Sequence, residues 1–199
     1  MFQVYERNPL QYDHETHTAC SFSRVRFPLD FPHFLRGFLL LLRLGFLLVL
    51  VFRLAQNRAI LSGRHFGVKW FSKDGDVVLT VYEDANGNGV LTADIKAGID
   101  RLVAGPYWMR GKHPHITFSF LKNFKGLDPS GSPIGNLADP IRFGRSDICS
   151  FAPDGGASPG SVYLSNGVDR QAVVRVSPAS GKIQVFDWLP GKRKWVRRL

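Results

Sequence analysis

The stretch Phe38–Leu54, FLLLLRLGFLLVLVFRL, decides how the rest of the chain is read. Fourteen of its 17 residues are large and apolar. As a helix it would run roughly 26 Å at 1.5 Å per residue, slightly short of a bilayer's hydrocarbon core. At about 0.3–0.6 kcal/mol for each Leu, Phe or Val, the run favours insertion by roughly 6–7 kcal/mol, against about 2.5–3.5 for a central arginine. Arg43 is off-centre and can reach the interface, and Arg53 stands at the edge. These magnitudes predict a membrane-spanning helix. The competing reading is a helix buried in a protein core. It is disfavoured because the run is apolar all round, with no polar face.

Around this run lies a chain of 199 residues, 44% apolar, with a net charge of +10. That length suits one compact domain plus an appendage. The charge is unevenly placed. Residues 61–169 carry 11 Lys and Arg against 11 Asp and Glu, whereas residues 170–199 carry 8 against one, Asp187. A basic end points to nucleic acid, a membrane surface or an acidic protein; the alternative is a solvated polar terminus. The two cysteines, Cys20 and Cys149, are too few for a disulfide framework and lie in no zinc spacing. His14 and His17 lack further ligands nearby, and His113 and His115 alternate on a predicted strand start, facing opposite ways. No nucleophile elbow or acid–base constellation is present, so an enzyme is not expected.

Downstream of the run, RLAQNRAIL continues helical spacing to a stop at Gly63. The texture then turns to strand. FGVKWF (66–71) and VVLTVYE (77–83) flank KDGD, a hairpin signal. Further strands are predicted at 115–120, 140–144, 161–165, 172–176 and 182–188, with a short last one in KWVRR. A helical turn is expected at Thr92–Ala97. One N-terminal helix followed by seven or so antiparallel strands predicts an α+β fold with two small sheets.

YEDANGNGV (82–90) has two readings. As a calcium loop, Asp84, Asn86 and Asn88 would take positions 1, 3 and 5 and Gly89 the sharp turn. Position 12 needs a bidentate acid but holds Ile95, with Asp94 one residue early, so any calcium affinity would be weak. As a turn, the repeated Asn-Gly supplies left-handed conformations, and 92–103 forms an excursion before the next strand. The turn reading explains more of the sequence.

Several phrases together resemble a known family. Arg36-Gly37-Phe38 before the apolar run is similar to a type IV prepilin signal. That resemblance implies cleavage by a prepilin peptidase after Gly37 and methylation of Phe38. YEDANGNG, then FAPDGGASPGSVYL (151–164), then AVVRVSPASGKIQVFDW (172–188), behind RLAQNRAILSGRHFGVKW (53–70), resemble the GspH/FimT-type minor pseudopilins from about residue 53 to the C-terminus. The family's glutamate at mature position five is replaced here by Leu42.

The resemblance implies a pilin-like fold and three segments. Residues 1–36 are a leader or a mis-assigned N-terminal extension, 37–63 a membrane anchor, and 64–199 a β-rich head. It implies a structural subunit of a type II secretion pseudopilus or type IV pilus, single-pass in the inner membrane, with its head in the periplasm or outside the cell. Its partners would be other pilin-type subunits, and no cofactor is expected. A further expectation is DNA binding by Lys192, Arg193, Lys194, Arg197 and Arg198 around Trp195, as in some FimT-type relatives. Five phosphate contacts would give a log K against log salt slope of roughly −3.5 to −4.5.

Overall fold

The computed structural model describes residues 33–109 and 115–199. His14, His17, Cys20 and His113, together with most of the 1–36 segment, lie outside them. Helix α1 runs from His33 to Ser62. It is followed by β1 (Phe66–Lys73), β2 (Asp76–Glu83), the short α2 (Thr92–Ala97) and β3 (Arg101–Trp108). Next come β4 (Ile141–Arg142), β5 (Ile148–Phe151), β6 (Gly160–Ser165), β7 (Gln171–Val176), β8 (Ile183–Leu189), a 3-10 turn at Pro190–Lys192 and β9 (Lys194–Arg197). Sheet A has the order β3-β2-β1-β5 and sheet B the order β4-β6-β7-β8-β9, and every pairing is antiparallel. One long apolar helix followed by two antiparallel sheets is the α+β layout expected.

Local chemistry accounts for the punctuation. Gly63 takes φ 68° and donates to the Ala59 carbonyl at 3.1 Å, closing α1. Lys73 pairs directly with Asp76, so Asp74 and Gly75 form a two-residue hairpin turn, both with positive φ (53° and 74°). The predicted strand at 115–120 is a correction. His115 and its neighbours touch the edge of β6 at one point only, the isolated bridge Thr117–Ser165 with two backbone hydrogen bonds of 2.9 Å, so no strand is built there.

The core lies between α1 and both sheets. Leu44, Leu48, Phe52 and Ala55 are fully buried along one helix face. The Phe52 ring meets Trp70, Phe143 and Phe151 with centroids 5.5, 5.9 and 6.0 Å away, and Trp70 stacks on Phe143 at 5.2 Å. A smaller cluster of Leu121, Phe124 and Trp188 covers the far face of sheet B.

One polar contact ties the helix to two loops. The buried Gln56 donates through Nε2 to the carbonyls of Gly155 (3.3 Å) and Gly181 (3.2 Å), and its Oε1 accepts from Arg53 at 2.7 Å. Gly181 has φ 54°, and a Cβ there would collide with Gln56 and the Gly155 carbonyl. Gly181→Ala therefore combines left-handed strain with overlap, and should cost about 2 kcal/mol or more. Thermal denaturation should register this as a fall of at least roughly 4–8 °C.

Candidate functional site

The buried face of α1 repeats at helical spacing: Leu41, Leu44, Leu48, Val51, Phe52, Ala55 and Ala59. The opposite face is also apolar and has nothing over it among the described residues. Leu39, Phe46, Leu50 and Leu54 are 44, 57, 51 and 37% exposed, and Leu61 extends the stripe. From Leu39 to Leu61 it spans about 33 Å. Arg43 interrupts it between Leu39 and Phe46, Arg53 and Arg58 are exposed at its sides, and α1 contains no acidic residue. An apolar cleft of about 340 Å³ adjoins the stripe, where Leu42, Gly45 and Phe46 meet Val185 and Leu199 of the C-terminal strands.

Apolar all round thus describes the composition of α1 but not its environment. Leu39–Ser62 is long and apolar enough to cross a membrane, yet one of its faces forms the head's core. Crossing a bilayer and docking on the sheets are alternative uses of the same side chains: a spanning α1 would hand Leu44, Leu48 and Phe52 to lipid. Sequence reading overlooked this division. The signal available was the spacing of Arg43, Arg53 and Arg58, which marks the outward side.

Gly37 lies within α1, buried against the head, and a Cβ there would stand 2.8 Å from Asn166 Nδ2. The side chain of Phe38 is outside the described set. A peptidase needs an extended, reachable bond, so a cut after Gly37, were one made, would have to precede docking of the helix.

The 84–100 segment connects β2 to β3, with Glu83 paired to Arg101 at its neck. The buried Asp84 accepts from three backbone N–H groups, those of Asn86 (3.1 Å), Gly87 (2.8 Å) and Gly89 (2.7 Å). Asp100, also buried, accepts from Ala85 and Leu91. Asn86 and Asn88 each donate an amide N–H to Asp94 Oδ2, at 3.2 and 2.9 Å. The left-handed positions are Gly87 and Gly89, not the asparagines. The loop is therefore closed by its own donors, and calcium would require both carboxamides to turn over. No three His, Cys, Asp or Glu converge among the described residues. Asp84→Ala leaves three N–H groups without their charged acceptor and should cost about 2–4 kcal/mol in a denaturation titration.

Trp195 packs against Trp188 at 5.3 Å and Phe124 at 5.8 Å, and donates through Nε1 to the Leu127 carbonyl at 2.7 Å. It is committed to the fold rather than presented to a base. Arg197 donates to the Leu199 carbonyl at 2.8 Å, and Arg198 is paired with Asp187. Lys192, Arg193, Lys194, Arg197 and Arg198 are all exposed at this end, the last two while holding these local partners. DNA binding through all five would keep the salt slope of roughly −3.5 to −4.5, and binding through Lys192, Arg193 and Lys194 alone would reduce it to roughly −2 to −3.

Burial raises the Cys149 thiol well above its ordinary range. Burial also pushes the Tyr163 phenol up to about 12. Burial alone would raise the Asp128 carboxyl, but hydrogen bonds from Ser130 and Ser132 and the charge of Arg175 outweigh it and hold the group below the usual carboxylate range. Cys149 should accordingly resist thiol reagents in the folded chain and react on denaturation. Searches against protein-family models, curated protein sequences and solved structures returned no match to this chain.

Proposed function

We propose that this chain is a pilin-like structural subunit, a GspH/FimT-type minor pseudopilin of a type II secretion pseudopilus or type IV pilus. The observation that carries the reading is the mostly apolar outward face of α1, interrupted by Arg43 and Asn57 and left open on a helix whose other face already seats the head. Four half-exposed large side chains represent about 3–6 kcal/mol of unrealised burial, which neighbouring helices in a bundle would recover. The order of elements and the Gln56 contact support it. Gln56, Gly155 and Gly181 come from three separate phrases of the family resemblance, and they meet at one point.

In this account the helix is held by the inner membrane before assembly, in single-pass fashion, and the head remains in the periplasm or outside the cell. Prepilin peptidase acts before docking, and the partners are other pilin-type subunits. The mature N-terminus tests this. Mass spectrometry of chain expressed with a prepilin peptidase should find a methylated Phe38, and an intact Met1 under those conditions would contradict it.

A second reading, DNA capture by the basic end, is favoured only by the exposure of Lys192, Arg193, Lys194, Arg197 and Arg198. Loss of salt-sensitive DNA retention on converting these five to alanine would support it, and unchanged retention would reject it.

A further inference from the structure

The outer face of sheet B carries a row of polar side chains that none of the sites above uses. Register pairs Arg142 of β4 with Ser161 of β6, Ser161 with Arg175 of β7, and Arg175 with Gln184 of β8. The residues flanking them, among them Phe143, Val162, Val174, Val176 and Val185, are buried in the core, so alternation places the row on the opposite face. Strands lie about 4.8 Å apart, which sets the two arginines roughly 10 Å apart at the backbone with the Ser161 hydroxyl between them. The row floors a cleft of about 530 Å³, walled by the loop containing Asp128 and Ile134 and continued by Phe186. That volume is in the range that accepts a drug-sized ligand or short peptide.

We propose that this cleft binds the carboxylate of an acidic polypeptide segment, clamped by Arg142 and Arg175 with Ser161 as a third donor, while apolar parts of the segment lie on Phe186 and Ile134. A guanidinium presents a planar fork of donors that matches a carboxylate. The present partners leave most of those donors uncommitted. Arg175 stands 3.6 Å from Asp128, and Arg142 stands 3.9 Å from Asp139, both longer than a charge-assisted hydrogen bond. Arg142 also donates to the Asn136 carbonyl at 3.1 Å. Asp128 spends its oxygens on its own loop, accepting from the Ser130 N–H and hydroxyl and from the Ser132 N–H at 2.7–2.8 Å. Both guanidinium side chains are 34% exposed, so water competes for them less than for a free surface arginine. The rim includes Pro129, Pro133, Pro159 and Pro178, which give apolar contact and no competing N–H, as suits an extended chain.

The test is fluorescence anisotropy of labelled octaglutamate on the full-length chain in detergent, with labelled octaglutamine as control. The proposal predicts binding of octaglutamate alone. R142Q/R175Q should weaken it at least tenfold, and K192Q/R193Q/K194Q should change it less than twofold. D128N keeps the loop's acceptor but removes the competing charge, and should tighten binding threefold or more, an effect that misfolding cannot imitate. Absence of binding at millimolar peptide overturns the proposal. So does equal loss in the two multiple variants, retention in R142Q/R175Q, or weakening in D128N.

Discussion

Phe52→Ala is expected to destabilise the head by about 3–5 kcal/mol, the usual cost of truncating a fully buried phenylalanine. The Phe52 ring meets aromatic residues from both sheets: Trp70 and Phe151 from sheet A, and Phe143 beside β4 of sheet B. Removing it leaves a cavity at the centre of the junction, which the stacked Trp70–Phe143 pair cannot collapse to fill without losing its own contact. At 2–4 °C per kcal/mol for a chain of this size, the melting temperature should fall by roughly 6–20 °C. Phe46→Ala, on the same helix but outward, should leave it within about 2 °C, because a half-exposed side chain makes little core contact. Equal effects at the two positions would mean that α1 does not divide into an inner and an outer face.

The second large effect is expected in assembly rather than stability. F46Q/L50Q/L54Q replaces the middle of the outward stripe with polar groups of similar reach and leaves Leu44, Leu48 and Phe52 in place. If neighbouring helices recover even about 3 kcal/mol from that stripe, the triple variant should join the filament more than 100-fold less well, at 1.4 kcal/mol per factor of ten. Its melting temperature should match that of the parent chain. Co-purification with other pilin-type subunits reads the first quantity and calorimetry the second. Normal co-purification would remove the stripe from the assembly interface.

Much of this architecture was legible in advance because particular residues leave few alternatives. Asp74-Gly75 between two β-branched runs specifies a tight hairpin, and Gly63 ends a helix that nothing else stops. Strands β6, β7 and β8 are runs of β-branched and apolar residues bounded by Gly, Pro and Asn turns, and their boundaries fall within a residue or so of expectation. Strand β3 was missed because RLVAGPYW contains a proline, which argues against a central strand; at the edge of sheet A it is tolerated. Strand β5 is four residues long and too short to show a period. The 115–120 segment alternates like a strand for another reason: Ile116 and Phe118 pack on the main core and Phe120 on the smaller cluster, while the backbone pairs with β6 only at Thr117.

The sites were less legible. Composition alone could not show that Trp195 is a packing residue, or that Arg142 and Arg175, 33 positions apart, share one cross-strand row with Ser161 between them. Only strand register brings such residues together. The same limit applies to α1, where hydropathy counts apolar side chains without saying which of them are already taken.

The most direct test of the docked helix is a nitroxide scan, one label at a time from residue 41 to residue 59, on the full chain in mild detergent, away from any bilayer. The account predicts accessibility to dissolved oxygen that rises and falls every 3.6 residues, lowest at 44, 48, 52 and 55 and highest at 46, 50 and 54. Uniformly high accessibility at all these positions would mean a rod surrounded by detergent with the sheets elsewhere, and would contradict it.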